Sequence, residues 1–248
     1  MLIIVAAWLA VAAGVFVALF FVTAPYGRYA RRGWGPTLPA RWGWLAMEAP
    51  AALVFAAGFV VGPCHNVTAW VFLGLWLCHY GYRAFIYPFT LHEGDRRMPV
   101  AVAAMAVIFN AVNAWLNAWW LFDRSGGHPA SWLLDPRFLI GTALFVIGMA
   151  ITRSADATLR RLRSDAADRD GYSIPQGALY RRITSPNYLG EIVEWIGWAV
   201  LTWSLPGLAF AAWTAANLAP RARANQRWYR ERFPDYPPER RALIPGVW

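Results

Sequence analysis

Residues 184–204 read TSPNYLGEIVEWIGWAVLTWS. The stretch has the apolar, aromatic character of a membrane-spanning helix, yet it carries Asn187, Glu191 and Glu194. Spacings of four and three put these three on one helical face about two turns long. An ionisable residue inside an apolar helix costs about 2.5–3.5 kcal/mol on insertion scales and faces a cavity or a partner. A chain that tolerates two carboxylates there has a use for at least one of them.

The rest of the sequence repeats the apolar theme. Of 248 residues 58% are hydrophobic and only 15% charged, and there are 16 tryptophans. Several runs approach the roughly 20 residues needed to cross a bilayer. Residues 2–22 are uncharged and follow no basic leader, so they predict an uncleaved first helix rather than a signal peptide. Further helices are expected at 42–61, 67–89 and 99–122, and from 137 to about 151 with a charged helical extension, TRSADATLRRLR. The sixth is the opening stretch. A tight turn over Ser204, Leu205, Pro206 and Gly207 then leads to a shorter seventh at 208–219. The expectation is an all-α, multi-pass integral membrane protein with seven transmembrane helices forming a single domain over 1–248.

The net charge of +9 comes from 23 arginines and no lysine. Twenty of them fall in 23–41, 90–98, 153–187 and the tail 220–248. The positive-inside rule makes those segments cytoplasmic and places the N-terminus outside. Six spans would put the two most arginine-rich segments on opposite sides, so seven are favoured. The basic balance therefore reads as topology, with membrane lipid as neighbour and no nucleic acid. Abundant Ala and Arg without Lys suggests a bacterial inner-membrane protein, read as a monomer. Cys64 and Cys78 have no His/Cys cluster beside them, and no metal site is expected.

Three constellations could carry chemistry. Thr152, Asp156, Arg160 and Arg163 share one face at spacings of four, four and three. Such a strip is either a solvated, salt-bridged face, worth about 0.3–0.5 kcal/mol per pair, or a polar wall for an anionic cofactor. Tyr172 in a turn-rich loop, and Arg221, Arg223, Asn225, Arg227 and Tyr229 in the tail, add basic and aromatic groups. Binding of lipid headgroups is the competing role for that basic cluster. There is no G-x-G-x-x-G and no P-loop, so a dinucleotide would bind in a non-Rossmann way.

The third constellation lies within the helices. Glu48 sits deep in the second; Tyr80, Arg83 and Tyr87 recur at three and four on the third. Glu48 is either a buried carboxyl bonded to a neighbouring helix or a neutral acid that, with Tyr80, forms a two-donor oxyanion hole. Asn110, Asn113 and Asn117 form one face of the fourth helix, suited to interhelical hydrogen bonds or to lining the same cavity. His65, His92 and His128 are isolated and receive no role; His79 reads as structural.

Together LPARWGWLAMEAP (38–50), HYGYRAFIYP (79–88), GMAITRSADATLRRLR (148–163), YSIPQGALY (172–180), SPNYLGEIVEWIGWAVLTWSLPGLAF (185–210) and RWYRERFPDYPPERRALIP (227–245) resemble the steroid 5α-reductases. The resemblance implies seven helices, a lipid-facing steroid cavity and NADPH on the cytosolic side. It implies reduction of a 3-oxo-4-ene by hydride transfer to the β-carbon. By position it puts the steroid-carbonyl partners on Glu48 and Tyr80; the asparagine face of the fourth helix, not the resemblance, adds Asn113 as a further substrate residue. The cofactor set falls on Arg96, Asp156, Arg163, Tyr172, Asn187, Glu191 and Tyr229, extended by Arg160, Glu194, Arg221 and Asn225. Two departures stand out: Met47 where the family commonly shows Gln, and Thr152 where it often shows Asn. The loop 90–98 also holds an extra residue, leaving Arg96 and Arg97 as alternatives. A same-fold reductase of another lipid, a membrane methyltransferase using S-adenosylmethionine, and a non-enzymatic lipid-binding protein remain open at this point.

Overall fold

The computed structural model describes residues 2–90, 97–165 and 172–248. Among these, the apolar runs form seven α-helices: α1 (Leu2–Phe21), α2 (Ala40–Val61), α3 (Val67–Phe85), α4 (Val100–Trp119), α5 (Pro136–Asp165), α6 (Pro186–Thr202) and α7 (Leu205–Arg232). Four are long and apolar enough to cross a membrane: Ile3–Phe21, Ala40–Val61, Val100–Arg124 and Pro136–Leu162. This is a predominantly helical membrane protein with almost no sheet.

Three boundaries differ from expectation. The third helix stops at Phe85, and Tyr87 belongs to a separate 3-10 turn, Tyr87–Phe89, so it does not continue the face of Tyr80 and Arg83. The Ser204–Gly207 segment is already the first turn of α7. Ser204 caps it, its Oγ accepting from the Gly207 N–H at 3.0 Å, while the reversal is made by Trp203 at φ +45°. The seventh helix is not short: it runs on through Pro220 to Arg232. Proline removes the bond to the Ala216 carbonyl and ordinarily ends a helix. Here Ala222, two residues on, is wholly buried against Ala242 and Leu243, and that packing carries the helix past the break.

The chain divides into two compact units, each assembled from separate stretches. One comprises Ala24–Leu139 and Thr202–Gly207, built on α2, α3 and α4. Gly58 of α2 meets Ala118 of α4 so closely that an added Cβ would lie 2.5 Å from the alanine methyl. Phe55 stacks on Trp76 at 4.3 Å, and the Trp76 indole donates to the Ala51 carbonyl at 2.9 Å, fixing α3 on α2. Two three-residue strands, β1 (Thr37–Pro39) and β2 (Arg97–Pro99), pair antiparallel with Leu38 opposite Met98, immediately before α2 and α4.

The other unit joins α1 to Ile140–Leu201 and Leu208–Trp248. Its helices α5 and α6 pack backbone on backbone. Gly141 and Gly148 on one, and Gly190 and Gly197 on the other, recur seven apart; a Cβ on Gly148 would stand 2.3 Å from the Glu194 nitrogen. Small residues at such crossings let membrane helices reach their closest approach. The C-terminal segment returns to this unit through Ile183 bridged to Arg241, with the Thr184 N–H donating to the Arg241 carbonyl at 2.8 Å.

Candidate active site

In the unit built on α2, α3 and α4, the polar groups are held inside apolar walls. Glu48 is buried on α2, two residues before Pro50. That proline leaves the Ala46 carbonyl without its usual intrahelical donor. Arg83 of α3 is the partner of Glu48, its Nε 3.5 Å from Oε1. The guanidinium is gripped by two rings, 5.0 Å from the centroid of Trp44 and 4.8 Å from that of Tyr87. Asn110 of α4 meets α2 next to Glu48, its Nδ2 donating to the Met47 carbonyl at 2.5 Å.

Tyr80 is buried one turn from Trp76, ring centroids 5.1 Å apart, with His79 edge-on at 4.8 Å. His79 also lies close enough to Glu48 to interact with its charge. Asn113 is 1% exposed; its carbonyl groups receive the Asn117 amide, but its own Nδ2 has no hydrogen-bond partner among the described residues. A buried amide donor left unpaired costs about 1–3 kcal/mol, which makes it a candidate to meet a ligand acceptor.

The unit containing α5, α6 and α7 gathers the other candidates. Asp156 is 5% exposed on α5, and Asn187 in the first turn of α6 donates to its Oδ1 at 3.1 Å. Thr152, one turn earlier, donates to the Asn187 carbonyl at 3.2 Å. The Thr152/Asp156 part of the strip is therefore docked on α6 and is not a solvated face. Arg221 on α7 reaches the Tyr188 hydroxyl from Nε at 3.1 Å, and Asn225 one turn on donates to Ser185 Oγ at 3.2 Å. Serine, asparagine and tyrosine at the start of α6 thus reach both other helices of the cluster, α5 and α7.

Tyr229 is buried in an aromatic stack with Phe233 and Tyr236, at 5.8 and 5.5 Å. Tyr172 rests against Trp228 at 5.1 Å. Glu191 lies one turn above Asn187, half-buried, and Glu194 is wholly buried. Arg160 is half-buried on α5. Arg96 lies outside the described residues, as does the side chain of Arg163; Arg97 is instead exposed and clamps Thr37, with bonds of 2.7 Å to its hydroxyl and carbonyl. Among the described residues no cluster of three or more His, Cys, Asp or Glu could hold a metal ion.

The chain as a whole has known relatives. The profile of the family described as 3-oxo-5-alpha-steroid 4-dehydrogenase matches residues 96–248. Curated relatives extend the likeness over nearly the whole chain. Steroid 5-alpha-reductase DET2 of Gossypium hirsutum is 40% identical across 94% of this chain and 92% of its own length. 3-oxo-5-alpha-steroid 4-dehydrogenase 1 of Bos taurus is 39% identical across 96% and 94%. Its namesake in Homo sapiens is 36% identical across 96% and 92%. The chain belongs to the 3-oxo-5-alpha-steroid 4-dehydrogenase family.

It is accordingly an oxidoreductase of the steroid 5α-reductase type. Within this family member, sequence reading found both polar groups but missed one pairing. Helical spacing groups Arg83 with tyrosines on its own helix, whereas its contact is Glu48 on α2. The signal existed: a lone arginine in one apolar helix and a lone glutamate in the preceding one are each too costly to stand alone. Thr184, Ser185 and Tyr188 were also overlooked, since hydroxyl groups bonding across helices carry no distinctive spacing.

Proposed function

We propose that the protein reduces the 4,5 double bond of 3-oxo-4-ene steroids, using NADPH. Membership of a family named for this reaction supports the substrate class. The observation that carries the site assignment is a buried carboxyl group, Glu48, on a membrane helix, with Tyr80 buried on the next. These are two hydroxyl-type donors suited to a carbonyl oxygen that gains negative charge.

The donor set around α5–α7 fits a phosphorylated dinucleotide. Arginines such as Arg221, Arg160 and Arg163 suit phosphate oxygens, Asp156 accepts from amide or ribose groups, and Asn187, Glu191 and Asn225 complete a mixed donor–acceptor set. Tyr172 and Tyr229 offer aromatic faces, and Arg96 adds a cation from the preceding loop. NADPH, when bound, supplies the hydride. Tyr80 and Glu48 hold the steroid 3-oxo group and stabilise the enolate formed when the β-carbon gains that hydride. A proton delivered to the α-carbon then restores the ketone. Asn113 offers its unpaired amide to a further acceptor on the substrate.

The arginine distribution supports seven spans with the N-terminus outside and the tail cytoplasmic, the side on which a soluble cofactor is met. We further read the chain as a protein of the bacterial inner membrane, on the strength of its lysine-free, arginine-rich composition, and as a monomer.

The test is NADPH oxidation by detergent-purified protein with progesterone, testosterone and an enoyl thioester in parallel. Consumption with the steroids is the expected result. Consumption with the thioester alone would keep the chemistry and change the substrate; no consumption and no NADPH binding would overturn the reading.

A further inference from the structure

Arg83 is an expensive residue that the reaction as described does not use. It lies in the last turn of α3, an otherwise apolar helix, where it is only partly exposed and is not left to choose its conformation. Trp44 and Tyr87 grip the guanidinium, with centroids 5.0 and 4.8 Å from Cζ, and Nε faces Glu48 Oε1 at 3.5 Å. The cage is itself braced. Trp44 and Tyr87 meet edge-on at 6.1 Å, and Tyr26 meets Trp44 edge-on at 6.3 Å. A cation held by two aromatic faces gains about 0.5–2 kcal/mol and, more to the point, loses its rotational freedom.

The chemical consequence concerns the carboxyl group. A guanidinium has donors and no acceptor, so the oxygen it faces must act as an acceptor. If Glu48 carries a proton, that proton therefore resides on Oε2. Asn110 braces the backbone beside it from α4, through the Met47 carbonyl. The helix that carries Glu48 is thus held from α4, and the two oxygens of the side chain are made inequivalent by Arg83.

We propose that Arg83 is a positioning residue. Locked in its aromatic cage, it occupies Oε1 of Glu48 and thereby presents Oε2 as the oxygen that meets the substrate. This rests on the reading of Glu48 as a partner of the steroid carbonyl. It assigns to Trp44 and Tyr87 a supporting part, since they hold the guanidinium plane.

The experiment is a double-mutant cycle on the full-length protein in detergent. Glu48→Gln, Arg83→Met and the double variant are compared for kcat and KM with progesterone, for NADPH Kd by fluorescence, and for melting temperature. Arg83→Met is expected to lower kcat about a hundredfold, the scale of a misdirected catalytic group, with NADPH Kd unchanged within about twofold. Glu48→Gln is expected to lose about a hundredfold or more, and the double variant no more than that single change. Where Arg83→Met does not fold, Arg83→Lys carries the comparison; it keeps a cation without the planar fork, and a kcat loss of about tenfold is expected.

The outcomes separate the two claims. An unchanged rate in folded Glu48→Gln would remove the role of Glu48 itself. A slow Glu48→Gln beside a wild-type rate in Arg83→Met, or in Arg83→Lys if that variant stands in, would remove the role of Arg83 alone. Losses that multiply in the double variant would show that Arg83 acts by some route other than Glu48, which also overturns the proposal.

Discussion

Asn187, in the first turn of α6, donates from Nδ2 to Oδ1 of Asp156 on α5 across 3.1 Å. Its own carbonyl meanwhile accepts from Thr152 at 3.2 Å. A single asparagine thereby reads two residues one turn apart on the facing helix, and aligns a buried carboxylate within the proposed cofactor cluster.

Replacing Asn187 by alanine removes a charge-assisted hydrogen bond from a buried acid. The expected cost is about 1.5–3 kcal/mol, seen as a lower melting temperature in detergent together with weaker NADPH binding. A variant with the wild-type melting curve and wild-type Kd would show that the bond organises nothing.

Gly148→Ala should be among the most damaging small substitutions in the chain. Its Cβ would lie 2.3 Å from the Glu194 nitrogen and 2.5 Å from the Gly190 carbonyl, both backbone, so no side chain can swing away. Overpacking of this kind costs about 1–3 kcal/mol or more. Gly74→Ala, where the added methyl meets nothing within 4 Å, is the control. Thermal melting of the two variants checks the contrast.

Arg163→Ala should separate two cofactors. If the arginine meets the extra phosphate of NADPH, its loss raises the NADPH Kd about 10- to 100-fold, the worth of a charge-assisted hydrogen bond, while the NADH Kd moves little. Isothermal titration with both nucleotides decides it; equal losses would remove Arg163 from the phosphate.

His128 gives a pH dependence. Burial lowers its pKa below the usual 6.5, with Arg137 adding like-charge repulsion against a bond to the Thr202 backbone. Phe72 and Trp132 enclose the ring at 5.3 and 4.6 Å. The unfolded chain thus binds this proton at higher pH than the folded one. The contribution is complete above pH 6.5 and is lost as pH falls through the lowered folded value. Melting temperature should fall from pH 7.5 to pH 5 less in His128→Gln than in wild type. An identical slope in both would exclude His128 as the source.

Sequence patterning reached some of this architecture and not the rest, for reasons visible in individual residues. Glu48 and Tyr80 stood out because a polar group in an apolar run has few bland explanations, and the structure buries both. Arg83 with Glu48 was missed because helix spacing reports neighbours on one helix and is silent about neighbours on the next. The glycines of α5 and α6 form a seven-residue pattern, GTALFVIG and GEIVEWIG, but glycine spacing alone does not say which helix lies against which. Pro220 ended the seventh helix on local rules. Burial of Ala222 and the bonds of Arg221 and Asn225 to residues of α6 outweigh one lost backbone bond. Ser204 is an ordinary N-cap whose serine was assigned to the turn itself.

The short ladder of β1 and β2 acts as a ruler. Pro39 and Pro99 end its two strands, and α2 and α4 are counted off from there, with Arg97 clamping the mark to Thr37. Asn110 reaches the Met47 carbonyl because both counts are correct. One residue inserted between Ala40 and Glu48 would turn the carboxylate by about 100° and advance it about 1.5 Å, away from Arg83. The same insertion ahead of Thr37 falls before the zero mark and is taken up by the loop. Length changes in this chain are therefore tolerated or ruinous according to which side of two prolines they fall.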